Sequence, residues 1–344
     1  MGNAYRKNVI IVGAGASAEF NLPVGNQLKG IIARTSDIRF DTWGRDLTSG
    51  DYDIVRTLRS LSGGNINDYL HVAWQIRDNM PLAPSIDNFL DTHSHNEKLV
   101  EFGKIAITNA IMKAEKHSLL FIDWRNSDKF NFDSLTNTWL SKFFTILITH
   151  RNFESFIEAL SNITFISFNY DRCIHQFFSH AAQSYFGLEK SDVLVVLKTL
   201  NIIYPYGNIG EFIWNNPNHT NYGEVQFDSN LIQKSQNLRT FTEGTDLQTK
   251  NSIDTCLSSA DAVLFMGFGF LDLNMKLLFE NKIYPVPKIL ATAKGLSKNS
   301  ISELSSELGG IFRVKKKLIT AADIFIEDNT CENLIFEYQR FLSK

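Results

Sequence analysis

A short apolar run that leads directly into a glycine-rich loop constrains the fold of this chain more than any other feature. Asn8–Val12 is rich in β-branched residues, and residues 13–17 after it read Gly-Ala-Gly-Ala-Ser. Such a run is typical of a strand buried on both faces of a parallel α/β sheet. Gly13, Gly15 and Ala18 fit the pattern GxGxxA, in which glycines let backbone N–H groups approach a phosphate. The pattern predicts a nucleotide-binding loop, although a tight turn without a ligand remains the alternative.

Strand-like and helical runs alternate through the second half of the chain, which is the signature of a doubly wound α/β sheet. Strands are predicted at 164–168, 199–204, 262–266 and 288–292, with helices at 172–182, 251–259, 271–280, 297–308 and 329–342. Residues 65–150 have a helical pattern that Pro81 and Pro84 interrupt, and Ser85 is a predicted N-cap. The polar tract 214–245 carries at most a hairpin.

We therefore expect a mostly parallel, Rossmann-like sheet with a helical insertion. Residues 1–64 and 151–344 would form the α/β domain, and residues 65–150 the insertion.

Composition and charge exclude several classes of protein. The formal net charge is -3, and the longest basic run is residues 315–317, so direct nucleic-acid binding is not supported. No apolar run reaches about 18 residues and no secretory signal is evident, which predicts a cytoplasmic protein without a membrane span. Cys173, Cys256 and Cys331 are far apart and form no CxxC pair, so no zinc site is expected.

The residues after the first loop argue against an ordinary dinucleotide-dependent dehydrogenase. That fold requires a long unbroken helix after the glycines. Here Asn21, Pro23 and Gly25 interrupt the helix within about two turns, because proline has no N–H to donate. We expect a short helix, a turn and a second helix. Asp37 lies about 20 residues after the glycine loop, where a dehydrogenase carries its ribose-binding acid. The residues around it, 34–39, are too polar for the buried strand that would deliver such an acid.

A second group of polar residues follows the strand predicted at 164–168. Asn169 can hold a ribose hydroxyl or a water, and Asp171 can place negative charge beside a developing cation. The alternative is that both residues only turn the chain and cap the next helix. Gly267 and Gly269 follow another predicted strand and allow close approach of a ligand to the backbone.

Taken together, these segments resemble the sirtuin-like family, especially its bacterial NAD-consuming branch associated with antiphage defence. The resemblance rests on residues 13–17 with 22–25, on residues 167–171, and on residues 267–269 with Asp272 and Asn274. Residues 85–91 also resemble a segment of standalone bacterial members. The resemblance implies NAD as ligand, with the pyrophosphate on the first loop, the nicotinamide ribose beside Asn169 and Asp171, and the adenosine half beside the second glycine turn. The implied binding residues are Gly13, Ala14, Gly15, Ser17, Pro23, Asn169, Gly267, Phe268, Gly269 and Thr292.

The chain departs from that family in two respects. It cannot build the four-cysteine zinc module of the protein deacylases, so lysine deacylation is disfavoured. The family often carries a histidine just before the glycine that corresponds to Gly207, or a few residues earlier, whereas Tyr206 and Tyr204 stand there. Tyrosine, with a pKa near 10, is a poor general base at neutral pH. His175 is interpreted as a packed or surface histidine of the following helix, more than a turn from the crevice.

Two hypotheses follow. The first is an NAD glycohydrolase that uses Asn169, Asp171, Tyr204 and Tyr206 and acts in antiphage defence within an assembly. The second is a non-catalytic subunit that binds NAD or ADP-ribose in a complex with an ATPase. The resemblance implies a homo-oligomer and a HerA-type ATPase as partners.

Overall fold

The computed structural model describes residues 5–123, 125, 130–210, 220–280, 282–315 and 319–343. Its strands are β1 (Asn8–Val12), β2 (Arg39–Phe40), β3 (Leu47–Ser49), β4 (Ile163–Ser167), β5 (Asn201–Ile203), β6 (Ala262–Met266), β7 (Lys288–Thr292), β8 (Arg313–Lys315), β9 (Ile319–Ala321) and β10 (Asp323–Glu327). Its helices are α1 (Ala14–Ser17), α2 (Gly25–Thr35), α3 (Tyr52–Leu61), α4 (Asn67–Asn79), α5 (Ile86–Thr92), α6 (Glu97–Lys116), α7 (Trp139–Ile148), α8 (Phe153–Ser161), α9 (Cys173–Phe186), α10 (Lys190–Thr199), α11 (Asp228–Ser235), α12 (Leu247–Ser258), α13 (Asp272–Phe279), α14 (Lys298–Ile311), α15 (Cys331–Glu337) and α16 (Gln339–Leu342). Short 3₁₀ turns occupy Ala18–Phe20 and Phe132–Leu135.

The main sheet has six strands in the order β5-β4-β1-β6-β7-β10, and every pair is parallel. Counted along the chain, this is the order 3-2-1-4-5-6 of a doubly wound dinucleotide fold. The chain first adds strands on one side of β1 and then crosses to the other side. The predicted Rossmann-like fold class is confirmed, and the topological switch point lies between β1 and β6.

The two faces of the sheet are covered by different helices because successive side chains of a strand point to opposite faces. Ile10 and Val12 pack in one cluster with α7, α8, α9, α10 and α15. Val9 and Ile11 pack in a second cluster with α12, α13 and α14.

A third apolar cluster lies at the carboxyl ends of the strands. Helices α2 to α6 and α11 form it, together with Tyr170 and Tyr206, which follow β4 and β5. The helical residues expected to form one insertion over 65–150 are therefore divided. Helices α4, α5 and α6 belong to this cluster, whereas α7 packs on the sheet. The domain boundaries stay a prediction.

Several local predictions are confirmed. Strands β6 and β7 have the predicted bounds, and the first loop leads into a short helix, a turn and a second helix. Asn21 makes that turn in the left-handed conformation, with φ 68°. The Ser85 hydroxyl accepts the backbone N–H of Asn88 as the N-cap of α5.

Other elements differ from the expectation. Within the described residues 220–245, the chain forms α11 instead of a hairpin, because Leu231 packs into the third cluster. Residues 214–219 of that tract, with His219, lie outside the described residues, as do Lys316 and Lys317 of the basic run. The edge strand β10 was not predicted, since it is half exposed and lacks a continuous apolar run. None of the described helices is long and apolar enough to cross a bilayer.

Candidate functional site

The first loop packs directly against the turn that follows β6. The backbone N–H of Gly13 donates to Met266 O at 3.0 Å, and that of Gly15 donates to Gly267 O at 3.0 Å. A Cβ on Gly13 would lie 2.6 Å from Gly267 O. Gly267 itself has φ +58°, and a Cβ there would lie 2.1 Å from Ala16 N. The glycines therefore have a role within the protein, since they let two loops meet at the switch point.

The side chain of Asn169 joins the end of β4 to this first loop. Its Nδ2 donates to Gly13 O at 2.9 Å and to the Ser17 hydroxyl at 2.8 Å. Only 7% of Asn169 is exposed. Asn169, Ser17 and the first glycine thus form one connected unit, although the sequence separates them by about 150 residues.

Asp171 lies beside Ser17 of this unit and, like Asn169, is 7% exposed. Its Oδ1 accepts the backbone N–H of Cys173 at 3.0 Å, at the first residue of α9. Burial raises the pKa of this carboxyl above its ordinary value, while hydrogen bonds from Cys173 and Ser17 oppose the rise. The helix-capping role considered as an alternative is therefore present. The same carboxylate is also a buried negative group beside the first loop.

Tyr204 follows β5 and contacts a histidine of α9. Its hydroxyl lies 3.3 Å from Nδ1 of His175, and the two rings stack with centroids 6.2 Å apart. Burial, and secondarily the charge of Arg172, lower the pKa of His175 to about 4, so the imidazole is neutral at pH 7. His175 is thus a packed histidine of α9, as interpreted from the sequence, and its contact is with Tyr204 after β5.

Tyr206 lies on a different side of the site and is held by other partners. Its hydroxyl donates to Asn274 Oδ1 at 2.9 Å, and its ring packs on Phe168 with centroids 5.6 Å apart. Burial, assisted by the charges of Asp87 and Asp91, raises its pKa well above that of free tyrosine. Tyr206 is therefore a neutral hydrogen-bonding residue at neutral pH.

A cavity of about 370 Å³ opens beside Tyr206. Phe168, Phe270 and Asn274 contribute to its wall, and so does Asp87 from the segment 85–91. The Asp87 carboxylate accepts a short hydrogen bond from the hydroxyl of Tyr170, and burial raises its pKa. The structure thus brings this segment to the carboxyl edge of the sheet.

A second cavity, of about 450 Å³, lies across the turn after β6. Phe270 contributes to both cavities. Five of the predicted binding residues line the second cavity, namely Gly15, Gly267, Phe268, Gly269 and Thr292. Gly13, Ala14, Ser17, Pro23 and Asn169 lie outside its lining, all among the described residues.

Thr292 has a structural role in this cavity. Its hydroxyl accepts the backbone N–H of Gly267 at 2.8 Å and lies 3.3 Å from Phe265 O. The hydroxyl expected to contact a ribose is thus already engaged in holding the glycine turn to β7.

Sequence reasoning missed a buried ion pair behind the site. Arg172 and Glu115 are 1% and 0% exposed, and Arg172 Nη2 lies 2.5 Å from Glu115 Oε2. The guanidinium also donates to Thr220 O at 2.6 Å. The pair therefore joins the end of α6 to the start of α9. Its one signal in the sequence was a carboxylate in the apolar stripe of α6, after Thr108 and Ile111 at helical spacing.

Asp37 forms ion pairs with Arg39 and Arg77, at 2.9 Å and 2.7 Å, next to a two-stranded hairpin outside the main sheet. It is therefore not placed as the ribose-binding acid of a dehydrogenase. Over the described ranges, no three metal-ligating side chains come together.

No family model matches the chain, and no curated protein matches it. One solved structure, titled as the crystal structure of a Sir2 homolog–NAD complex, aligns with 98% of this chain and 90% of its own. The two are 12% identical, with a TM-score of 0.40. A likeness at this level assigns neither a ligand nor an activity to this chain.

Proposed function

We propose that this protein binds NAD across the carboxyl edge of the sheet and cleaves the bond between nicotinamide and ribose. The products would be nicotinamide and ADP-ribose. The observation that carries the proposal is the unit of Ser17, Asn169 and Asp171 at the first glycine loop. In open α/β sheets, ligands bind at the carboxyl ends of the strands, at the switch point.

The shape of this edge suits a molecule with two nucleotide halves. Two cavities, of about 450 and 370 Å³, flank the turn that carries Gly267 and Phe270. We assign the larger to the adenosine half, because it is lined by the glycines of both loops. The smaller cavity, with the aromatic rings of Phe168 and Phe270, would take the nicotinamide end.

Cleavage of the nicotinamide–ribose bond requires few catalytic groups from the protein. Nicotinamide leaves NAD as a neutral molecule from a cationic ring, so no acid has to protonate it. The transition state resembles an oxocarbenium ion, as in other glycoside cleavages. A buried carboxylate beside the ribose would stabilise such a cation, and we propose that Asp171, which is buried beside the first loop, supplies it.

A second candidate is an NAD or ADP-ribose binding subunit without turnover. The raised pKa of Tyr206 and its bond to Asn274 favour this candidate, because they remove one of the two tyrosines as a base. We propose, from the resemblance of the motifs alone, that either form works in antiphage defence as an oligomer with a HerA-type ATPase. Light scattering of the purified protein with and without that ATPase tests the assembly.

Calorimetry with NAD and with ADP-ribose tests the site itself. The glycohydrolase predicts saturable NAD binding that Asn169→Ala weakens, together with nicotinamide in the spent sample. The second candidate predicts binding of both ligands without nicotinamide. Absence of binding by either ligand would contradict both candidates.

A further inference from the structure

The cavity beside Tyr206, which the proposed function assigns to the nicotinamide end of NAD, has a lining that is acidic and rich in hydrogen-bonding groups. Asp87 and Asp272 both line this cavity of about 370 Å³. Among the described residues of the lining, none carries a basic side chain. The other polar side chains there are amides and hydroxyls, among them Asn274. The lining therefore suits neutral or cationic groups better than anionic ones.

Asn274 offers a hydrogen-bond donor to a ligand in this cavity. The hydroxyl of Tyr206 donates to Asn274 Oδ1 at 2.9 Å. Because this bond engages the amide oxygen, the N–H groups of Nδ2 are the part of the amide that remains for a ligand. Asn274 is only partly buried, so a ligand can reach it. An Nδ2 donor matches the carbonyl oxygen of the nicotinamide carboxamide.

Asp87 offers the complementary acceptor. Its Oδ1 accepts a short hydrogen bond from the hydroxyl of Tyr170, and a carboxylate has further lone pairs for an N–H of a ligand. The nitrogen of a carboxamide supplies such an N–H, whereas a carboxylate has none to donate. Burial also raises the pKa of Asp87, because its surroundings disfavour negative charge. A ligand carboxylate placed beside it would meet the same cost.

We propose that this cavity selects the nicotinamide form of the dinucleotide over the nicotinic acid form, in which a carboxylate replaces the carboxamide. Asn274 donates to the carboxamide oxygen, Asp87 accepts from the carboxamide nitrogen, and the exposed Asp272 adds negative charge. The rings of Phe168 and Phe270 also line the cavity, and aromatic rings attract a cationic pyridinium. The nicotinic acid form is rejected by like charge and by an unmade hydrogen bond. This inference deepens the proposed function and rests on it.

Calorimetric titration of the full chain with NAD and with nicotinic acid adenine dinucleotide tests the selection. NAD should bind at least about tenfold more tightly, because the nicotinic acid form lacks one hydrogen-bond donor and brings a further negative charge to the acidic lining. Asp87→Asn and Asp272→Asn should each reduce this ratio at least about threefold, through tighter binding of the nicotinic acid form. Misfolding does not produce such a gain in binding.

Asp133→Asn is the matched control, because Asp133 is exposed and lies outside the linings of both cavities. It should leave the ratio of the two dissociation constants unchanged. Melting temperatures identify any variant that fails to fold. Asp87 bonds to the buried Tyr170, so Asp272→Asn, at the exposed start of α13, carries the test if Asp87→Asn does not fold.

Three results would overturn the inference. These are equal affinities of wild type for the two dinucleotides, a ratio that stays unchanged in the folded variants of Asp87 and Asp272, and a ratio that Asp133→Asn lowers equally. If wild type releases nicotinamide but binds both dinucleotides equally, the glycohydrolase stands and the cavity does not recognise the carboxamide. If NAD binds without release of nicotinamide, the ratio still decides the inference, and the binding subunit remains. If neither dinucleotide binds, the proposed function and the inference fall together.

Discussion

The side-chain amide of Asn169 donates a hydrogen bond to the hydroxyl of Ser17 at 2.8 Å, across 152 residues of sequence. With the second bond to Gly13 O, it attaches the end of β4 to the loop after β1. Two motifs that are weak in isolation thus form one structural unit at the switch point. The unit explains why an amide and a hydroxyl suit these positions, whether or not a ligand is bound.

Gly267→Ala should destabilise the protein far more than Gly269→Ala. At position 267 a Cβ meets Ala16 N at 2.1 Å and φ is +58°, whereas at 269 the nearest atom is Leu271 Cγ at 3.9 Å. We expect Gly267→Ala to lower the free energy of unfolding by about 3 kcal/mol or more, and Gly269→Ala to lower it by less than about 1 kcal/mol. Urea unfolding measures both, and equal losses would contradict the close packing of the two loops.

Glu115→Gln should cost about 3–5 kcal/mol of unfolding free energy. The substitution leaves the Arg172 charge buried without its carboxylate, and burial makes an unpaired charge expensive. The matched control is Glu280→Gln, which removes an exposed partner 3.5 Å from Lys250 and should change stability by less than about 1 kcal/mol. A small loss at Glu115 would show that the pair is not buried as described.

His180 should make the folded protein sensitive to acid. Burial lowers its pKa to about 4, against about 6.5 in the unfolded chain. The folded state therefore binds this proton less readily, so stability is complete above about pH 6.5 and falls as the pH drops toward 4. In His180→Gln, the decrease in the free energy of unfolding between pH 6.5 and pH 4 should be smaller by up to about 3 kcal/mol. Denaturant unfolding at pH 7, 5.5 and 4.5 provides the comparison, and parallel curves for both proteins would refute the effect.

Asp171→Asn should lower nicotinamide release by at least 10²-fold while NAD binding persists. The carboxamide keeps an oxygen for the Cys173 N–H but lacks the negative charge that favours the developing cation. Asp133→Asn, an exposed carboxylate outside the linings of both cavities, is the control and should leave nicotinamide release unchanged. Equal activity of the wild type and Asp171→Asn would exclude Asp171 as the stabilising charge.

The parts of the fold predicted from sequence are those that local pattern determines. Continuous apolar runs gave β1, β6 and β7, and the residues Asn21 to Gly25 gave the break after the first loop. Strand β10 was missed because an edge strand needs no such run.

The site was harder to predict because its contacts depend on how elements pack. Asn169 and Asp171 were identified at the end of a strand, but their contact with Ser17 depends on strand order. The pair of His175 and Tyr204 depends on the course of α9 past β5, which no local pattern encodes.

Nicotinamide release from NAD by the purified protein is the decisive measurement for the proposed glycohydrolase. The protein is incubated with NAD, alone and with the ATPase partner, and nicotinamide and ADP-ribose are quantified by chromatography beside Asn169→Ala. The proposed glycohydrolase should yield equal amounts of the two products from wild type and at least a tenfold loss in the variant. NAD that remains intact in every wild-type sample would contradict it.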